Sequence, residues 1–340
     1  MITQPLVLQQ QSDWQQALRQ LITDPLLLLS QLGLNEKDIP WQWDKQFPLR
    51  VSQSFVNRMQ KGNPNDPLLR QVLCVQDENH TSDSFSTDPL QESAYNPVPG
   101  LLHKYPSRVL VTLTSSCAIH CRYCFRRHFP YKKNNPGRQW DEIYAYLESH
   151  PDIIEVILSG GDPLMATDET LQLFIKGLSG IRHIELLRFH TRLPVVIPER
   201  ITRGLLQALE SRFHTTMVYH MNHPAEMTST IANGVMSLKN QGIQLLNQSV
   251  LLRGVNDNVE CLKNLSLALF KAGILPYYLH LLDKVKGSEH FAIPLETAHN
   301  LQQALRASLP GYLVPKFVKE LPHARSKVPL EALTALQYES

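Results

Sequence analysis

The run Ser115-Ser116-Cys117-Ala118-Ile119-His120-Cys121-Arg122-Tyr123-Cys124-Phe125-Arg126-Arg127 sets three cysteines in a CxxxCxxC spacing. So short a span can wrap three thiolates around one compact metal centre, and iron-sulfur clusters are held by cysteine sulfurs, normally one per iron. Three thiolates leave one iron of a four-iron cluster open to a small molecule. That favours catalysis over electron storage. The competing reading is a structural zinc site completed by His120 or His128. Zinc sites usually pair two dyads separated by a dozen or more residues, and the chain has no second CxxC.

The loop follows an apolar, β-branched run at 109–114, and similar runs recur at 153–158, 184–189, 215–219, 244–251 and 274–281. Helical patterns lie between them at 141–149, 169–178, 199–211, 226–240 and 258–271, with a further one at 297–307. Strands alternating with helices imply a parallel sheet with right-handed crossovers, either doubly wound or a barrel. Reactive or turn-forming groups stand just past each strand: the cysteine loop, Gly160-Gly161-Asp162-Pro163, His190-Thr191-Arg192, His220 with His223, Gln248 and Asp283. Barrels build their sites at the carboxyl ends of strands. A Rossmann-type sheet should show an early GxGxxG turn, and none is present. The expected fold is α/β, a partial (β/α)6 TIM-like barrel.

At 340 residues, with 43% hydrophobic and 19% charged, the chain can bury a large core. A net charge of +2 gives no reason to expect nucleic acid or an anionic membrane as a partner. Five cysteines, three of them clustered, argue against a disulfide framework and for a reducing, cytoplasmic compartment. The N-terminus does not read as a signal peptide, and no apolar run is long enough for a membrane span. Residues 1–100 read as a helical lead-in and an extended wrapping segment, 101–320 as the barrel, and 321–340 as a C-terminal segment. In the lead-in, Ser12 and Gln15 form a capping-box start ahead of Trp14, Leu18 and Leu21 on one helical face. Asp24, Pro25 and Gly33 punctuate a second helix. Cys74 and Cys261 read as small buried hydrophobes.

Several multi-residue motifs carry a family resemblance. The cysteine loop after the first strand and Ser159-Gly160-Gly161-Asp162-Pro163-Leu164 after the second resemble the radical S-adenosylmethionine (radical SAM) enzymes. His103-Lys104-Tyr105-Pro106-Ser107-Arg108, Cys124-Phe125-Arg126-Arg127, His190-Thr191-Arg192-Leu193-Pro194, Asn222-His223-Pro224, Asn247-Gln248-Ser249 and Pro276-Tyr277-Tyr278 narrow it to lysine 2,3-aminomutases. The likeness extends to the short bacterial form that supplies β-lysine for modification of elongation factor P. It implies a radical SAM barrel and an isomerase that converts (S)-α-lysine to (R)-β-lysine through a 5′-deoxyadenosyl radical and a pyridoxal phosphate imine.

The same resemblance assigns roles. Cys117, Cys121 and Cys124 would hold a 4Fe-4S cluster, with Gly160, Gly161, Asp162, His220 and Gln248 near S-adenosylmethionine. Lys327 would join pyridoxal phosphate, whose phosphate Lys104 and Arg108 would hold. Without the resemblance, a lysine near a C-terminus is ordinarily surface charge. The family usually has glycines before this lysine, where His323-Ala324-Arg325-Ser326 stands here. Arg126 would grip the substrate carboxylate. Asp283, with Glu320 in place of a second aspartate, would take the side-chain ammonium of free L-lysine; arginine is the alternative substrate. Implied partners are a flavodoxin- or ferredoxin-type reductant, elongation factor P and its lysyl ligase. The sequence ends soon after Lys327, and Asn258 stands where longer members place a zinc cysteine, so no structural zinc is expected. For His220 and His223 a buried, hydrogen-bonded pair is the expectation over a metal site.

Overall fold

The computed structural model describes residues 13–80, 82–131, 134, 137 and 139–333. Nine strands form one sheet in sequential order. β1 (Leu101–Tyr105) is antiparallel to β2 (Arg108–Thr114). β3 (Glu155–Gly160), β4 (Leu186–Thr191), β5 (His214–His220), β6 (Gln244–Val250), β7 (Leu275–His280) and β8 (Lys316–Lys319) then follow in parallel. β9 (Val328–Pro329) returns antiparallel. All six expected strands are present within a few residues. β8 is a seventh parallel strand that the pattern missed, because four residues, Lys316-Phe317-Val318-Lys319, are too few to show a period.

The crossovers explain the alternation. Along β4 and β6 every second residue is buried, which is the face covered by helices. The opposite, half-buried set includes Arg188, His190 and Gln248 and lines the concave face. The helices Asp141–Glu148, Asp168–Leu178, Ser229–Asn240, Val259–Ala272 and Leu295–Ser308 match the periodic segments. The segment expected as one helix at 199–211 splits into a 3-10 turn, Pro198–Arg200, and a helix, Arg203–Ala208. Thr202 is the reason, since its hydroxyl caps Leu205 N and restarts the helix. Asn258 caps the next long helix by accepting from Cys261 N at 2.9 Å.

The lead-in shares its core with the barrel: Trp14, Leu28 and Phe55 belong to the same apolar cluster as Val111, Leu158 and Phe189. Residues 13–19 are helical; Ser12, the expected cap, lies outside the described residues. Asp24 does cap Pro25–Gln31, accepting from Leu26 N. The stretch expected to be extended carries short helical turns instead, including Pro67–Arg70 and Glu92–Tyr95, the first fixed by Asp66 accepting from Leu68 N and Leu69 N. A second apolar cluster, with Leu279, Leu305, Phe317 and Leu330, backs β7 and β8. The sheet curls until its two ends meet through side chains. Lys104 on β1 donates to Glu320, just past β8, at 2.8 Å across 216 positions of sequence. This is a partial barrel whose open side is bridged by polar groups.

Candidate active site

The cysteine loop leaves β2 and folds against the turn after β3. Gly160 has φ of +105°, and a Cβ there would lie 2.5 Å from the Thr112 side chain. A Cβ on Gly161 would lie 2.4 Å from the Ser116 carbonyl oxygen, so any side chain would drive the two loops apart. The glycines let the turn touch the cysteine loop itself. Asp162 is buried, and its carboxylate is spent on protein donors: Thr191 Oγ1 and Arg192 N at 2.7 Å, Leu193 N at 2.8 Å and Leu164 N at 3.1 Å. Its side chain joins the turns after β3 and β4.

Burial, then the charges of Asp162 and the other cysteines, pushes the Cys117 thiol well above its ordinary value. Burial and Cys121 push Cys124 up to about 11. Crowded thiolates of this kind are favourable only around a cationic centre, and three sulfurs from one loop suit an iron-sulfur cluster. The histidines that zinc would require are engaged elsewhere. His120 Nδ1 lies 2.8 Å from the Pro48 carbonyl, and His128 Nε2 lies 3.3 Å from that of Lys286. His220 and His223 also part company, the first with Tyr123 OH at 2.9 Å and the second accepting from Ala225 N. Among the described residues one acidic and thiol group, Asp44, Cys74 and Glu78, has metal-like spacing. Its two acids are already paired with Arg122 and Arg127, so their charge is met.

Behind the loop lies a network that sequence reasoning missed. Arg192 donates to Cys121 Sγ at 2.8 Å, to Tyr123 OH at 2.5 Å, to Gln71 at 2.6 Å and to Glu226 at 2.9 Å. Arg192 and Glu226 are both buried, where an unpaired partner would be costly. Arg192 lay in the His190-Thr191-Arg192 motif and Glu226 two residues past Asn222-His223-Pro224, but the pairing joins different strand ends.

His220, Gln248 and Tyr278 sit side by side on β5, β6 and β7 and share the concave face. Burial, and then Arg192, lowers His220 to about 3, so the ring is neutral and Tyr123 OH meets Nε2. His280 is likewise lowered to about 3 by burial and Lys327. Among the described residues His190 Nε2 is buried without a hydrogen-bond partner, within the field of Arg188, Lys327 and His280. His190 and Tyr278 stood in motifs without an assigned role, and His280 was not singled out at all.

Lys327 lies at the far end, where Nζ donates to Glu320 and stands 5.9 Å from the Tyr278 ring centre. Lys104 is not free: it donates to Glu320 and, at 2.7 Å, to the Leu321 carbonyl. Tyr105 OH donates to the same carboxylate. Burial alone would raise Glu320, but Lys327 and these donors hold it down at about 2. Asp283 behaves oppositely. Burial and Glu320 raise it to about 7, against the pull of Lys327 and Lys319. Arg108 stacks over Tyr105 at 4.4 Å. Arg108 and Lys327, with the His190 nitrogen that has no partner among the described residues and with Lys104 beside them on Glu320, form a basic set that fits a phosphorylated pyridine aldehyde. Arg126 is buried and forked onto Glu92, with Nε and Nη2 donating at 2.8 and 2.6 Å. The structure therefore brings the predicted residues together in two groups, one around the cysteines beyond the carboxyl end of β2 and one around Glu320, the latter including Arg108 at the amino end of β2.

Comparison with known proteins agrees with this arrangement. Residues 111–264 match the model of the radical SAM superfamily. The chain is 48% identical over 324 residues to the L-lysine 2,3-aminomutase of Escherichia coli (strain K12), covering 94% of each chain. It is 48% identical over 325 residues to that of Haemophilus influenzae, covering 94% of this chain and 96% of the relative. Among solved structures, a radical SAM methyltransferase from Sphaerobacter thermophilus aligns over 64% of this chain and 68% of its own, at 16% identity and a TM-score of 0.46. With the cysteine loop, its glycine turn and the parallel half-barrel in place, identity sustained over nearly the whole length shows that the chain belongs to the lysine 2,3-aminomutase family of radical SAM isomerases.

Proposed function

We propose that this chain converts free L-lysine to (R)-β-lysine by moving the amino group from Cα to Cβ. Cys117, Cys121 and Cys124 hold a 4Fe-4S cluster, and Gly160, Gly161, His220 and Gln248 line the place of S-adenosylmethionine, with Asp162 shaping its turn. Lys327 is the attachment point for pyridoxal phosphate, and Arg108 with Lys104 neutralises its phosphate. When bound, these groups supply one-electron initiation and an electron sink, the chemistry that amino migration needs and side chains lack. Arg126 takes the substrate carboxylate through a guanidinium fork. Asp283 and Glu320 take the side-chain ammonium.

The observation that carries the reading is the acid pair beside Lys327. Glu320 accepts lysine ammonium groups from both Lys104 and Lys327, and Asp283, past the neighbouring strand, is a buried carboxyl that a cation would relieve. An acidic substrate side chain would be repelled there. The product serves modification of elongation factor P through its lysyl ligase, and a flavodoxin- or ferredoxin-type protein supplies electrons in the cytoplasm. The test is product analysis. Reduced enzyme with S-adenosylmethionine and L-lysine should yield β-lysine, and turnover of L-arginine with no β-lysine would refute the lysine assignment.

A further inference from the structure

We infer that Glu92 is a positioning residue: it turns the free end of the Arg126 guanidinium toward the substrate carboxylate from a strap tied to both sides of the site. The inference rests on the reading of Arg126 given above. A guanidinium has two edges that can meet a carboxylate, one formed by Nε and one Nη, the other by the two Nη atoms. Glu92 occupies the first, Oε2 accepting from Nε at 2.8 Å and Oε1 from Nη2 at 2.6 Å. On the second edge the one contact among the described residues is long, Nη1 to Ser159 Oγ at 3.2 Å. That edge keeps hydrogens for a ligand. The rings of Phe125 and Phe129, 4.8 and 5.8 Å from the guanidinium carbon, limit its tilt.

The strap itself is held in place. Glu92 N donates to Asp88 at 3.1 Å, and Gln91 before it takes a left-handed φ of +50°. Three residues on, Tyr95 OH lies 2.9 Å from His323 Nδ1 in the turn leading to Lys327. His323, at φ +63°, is the other described non-glycine residue in that region of backbone space. The strap is therefore tied through Asp88 on one side and, by Tyr95, to the turn that carries His323 on the other. Glu92 thus links the cysteine side to the lysine side. Fixing a long arginine in advance removes the ordering cost that substrate binding would otherwise bear.

The test compares L-lysine with L-lysinamide, which lacks the carboxylate charge, on cluster-reconstituted, pyridoxal-loaded enzyme under anaerobic conditions. Affinity is read from the change in pyridoxal absorbance, and the ratio of the two affinities measures what the carboxylate contributes. The wild-type ratio should favour lysine by roughly tenfold or more, as charge-assisted hydrogen bonds do. Arg126→Gln should bring the ratio close to unity. Glu92→Gln should lower it several-fold with lysinamide affinity unchanged, and Glu92→Asp should recover part. Both ligands need the same folded, loaded protein, so a general defect cancels in the ratio. If Arg126→Gln collapses the ratio and neither Glu92 variant moves it, the Glu92 assignment is wrong and Arg126 stands. If Glu92→Gln tightens lysine, Glu92 competes with substrate, and the positioning role is overturned. If Arg126→Gln leaves the ratio unchanged, the carboxylate reading falls and this inference with it.

Discussion

The cysteine side and the lysine side of the half-barrel are built to different standards of charge satisfaction. Around the cysteines, Arg192 is matched by Glu226 and Arg122 by Glu78 and Asp44, with every one of these pairs largely buried. Around Lys327, one carboxylate serves Lys104, Tyr105 and Lys327 together, Asp283 is raised to about 7, and His190 Nε2 has no partner among the described residues. The backing differs as well, the lead-in and β2 to β6 resting on one apolar cluster and β7 to β9 on a smaller one. Paired charges hold a loop rigid even though Arg192 Nε itself finds no partner among the described residues, whereas unmatched charge is what an arriving ligand can pay back. The first region is built as rigid scaffold; the second is arranged for exchange.

The contrast breaks most sharply if the two halves cannot be emptied separately. Cys121→Ala should abolish β-lysine formation and remove the cluster's iron while leaving the pyridoxal absorbance, and Lys327→Ala should do the reverse. Loss of both groups in either variant, measured by iron content and absorbance, would mean that the regions are one unit. Next in size, Arg192→Met should cost about 3–5 kcal/mol of stability, because Glu226 is left as a buried, unpaired charge. Chemical denaturation of the variant checks this. A loss below about 1 kcal/mol, the usual worth of an exposed pair, would deny the network its structural role.

On the lysine side the expected effect depends on pH. Asp283 must be ionised to hold an ammonium, so lysine affinity should rise as pH increases through about 7, and this step should vanish in Asp283→Asn. The sign for stability is the opposite. Folding raises this carboxyl above its unfolded value, so the stability present at low pH is lost as pH rises through about 7. Melting curves of the two proteins should therefore diverge in favour of Asp283→Asn toward alkaline pH. The smallest effect belongs to the helix following β6. Asn258→Ala removes the cap on Cys261 N and should cost about 1 kcal/mol, a cap's worth and no more.

Legibility followed the reach of each interaction. The cysteine loop, the Gly160-Gly161 turn and the caps at Asp24 and Asn258 are written in consecutive residues, and the six strands in alternation over short windows. β8 escaped because its four residues carry no period. Arg192 was visible within a motif and Glu226 lay just past another, yet nothing local announces that one meets the other or that both stand behind Cys121. Glu92 lay in a segment read as mere wrapping, and Asp162, read as a cofactor contact, has its carboxylate committed to the protein.

By itself, then, the sequence determined the three-cysteine spacing, the strand and helix succession and the family, because these rest on spacing and on motifs in order. Only the tertiary structure decided which charges meet. Lys104 and Glu320 are 216 positions apart and touch because the sheet curls far enough to bring its ends together. Curvature of that kind sums small twists over many strands, and no window of residues contains it.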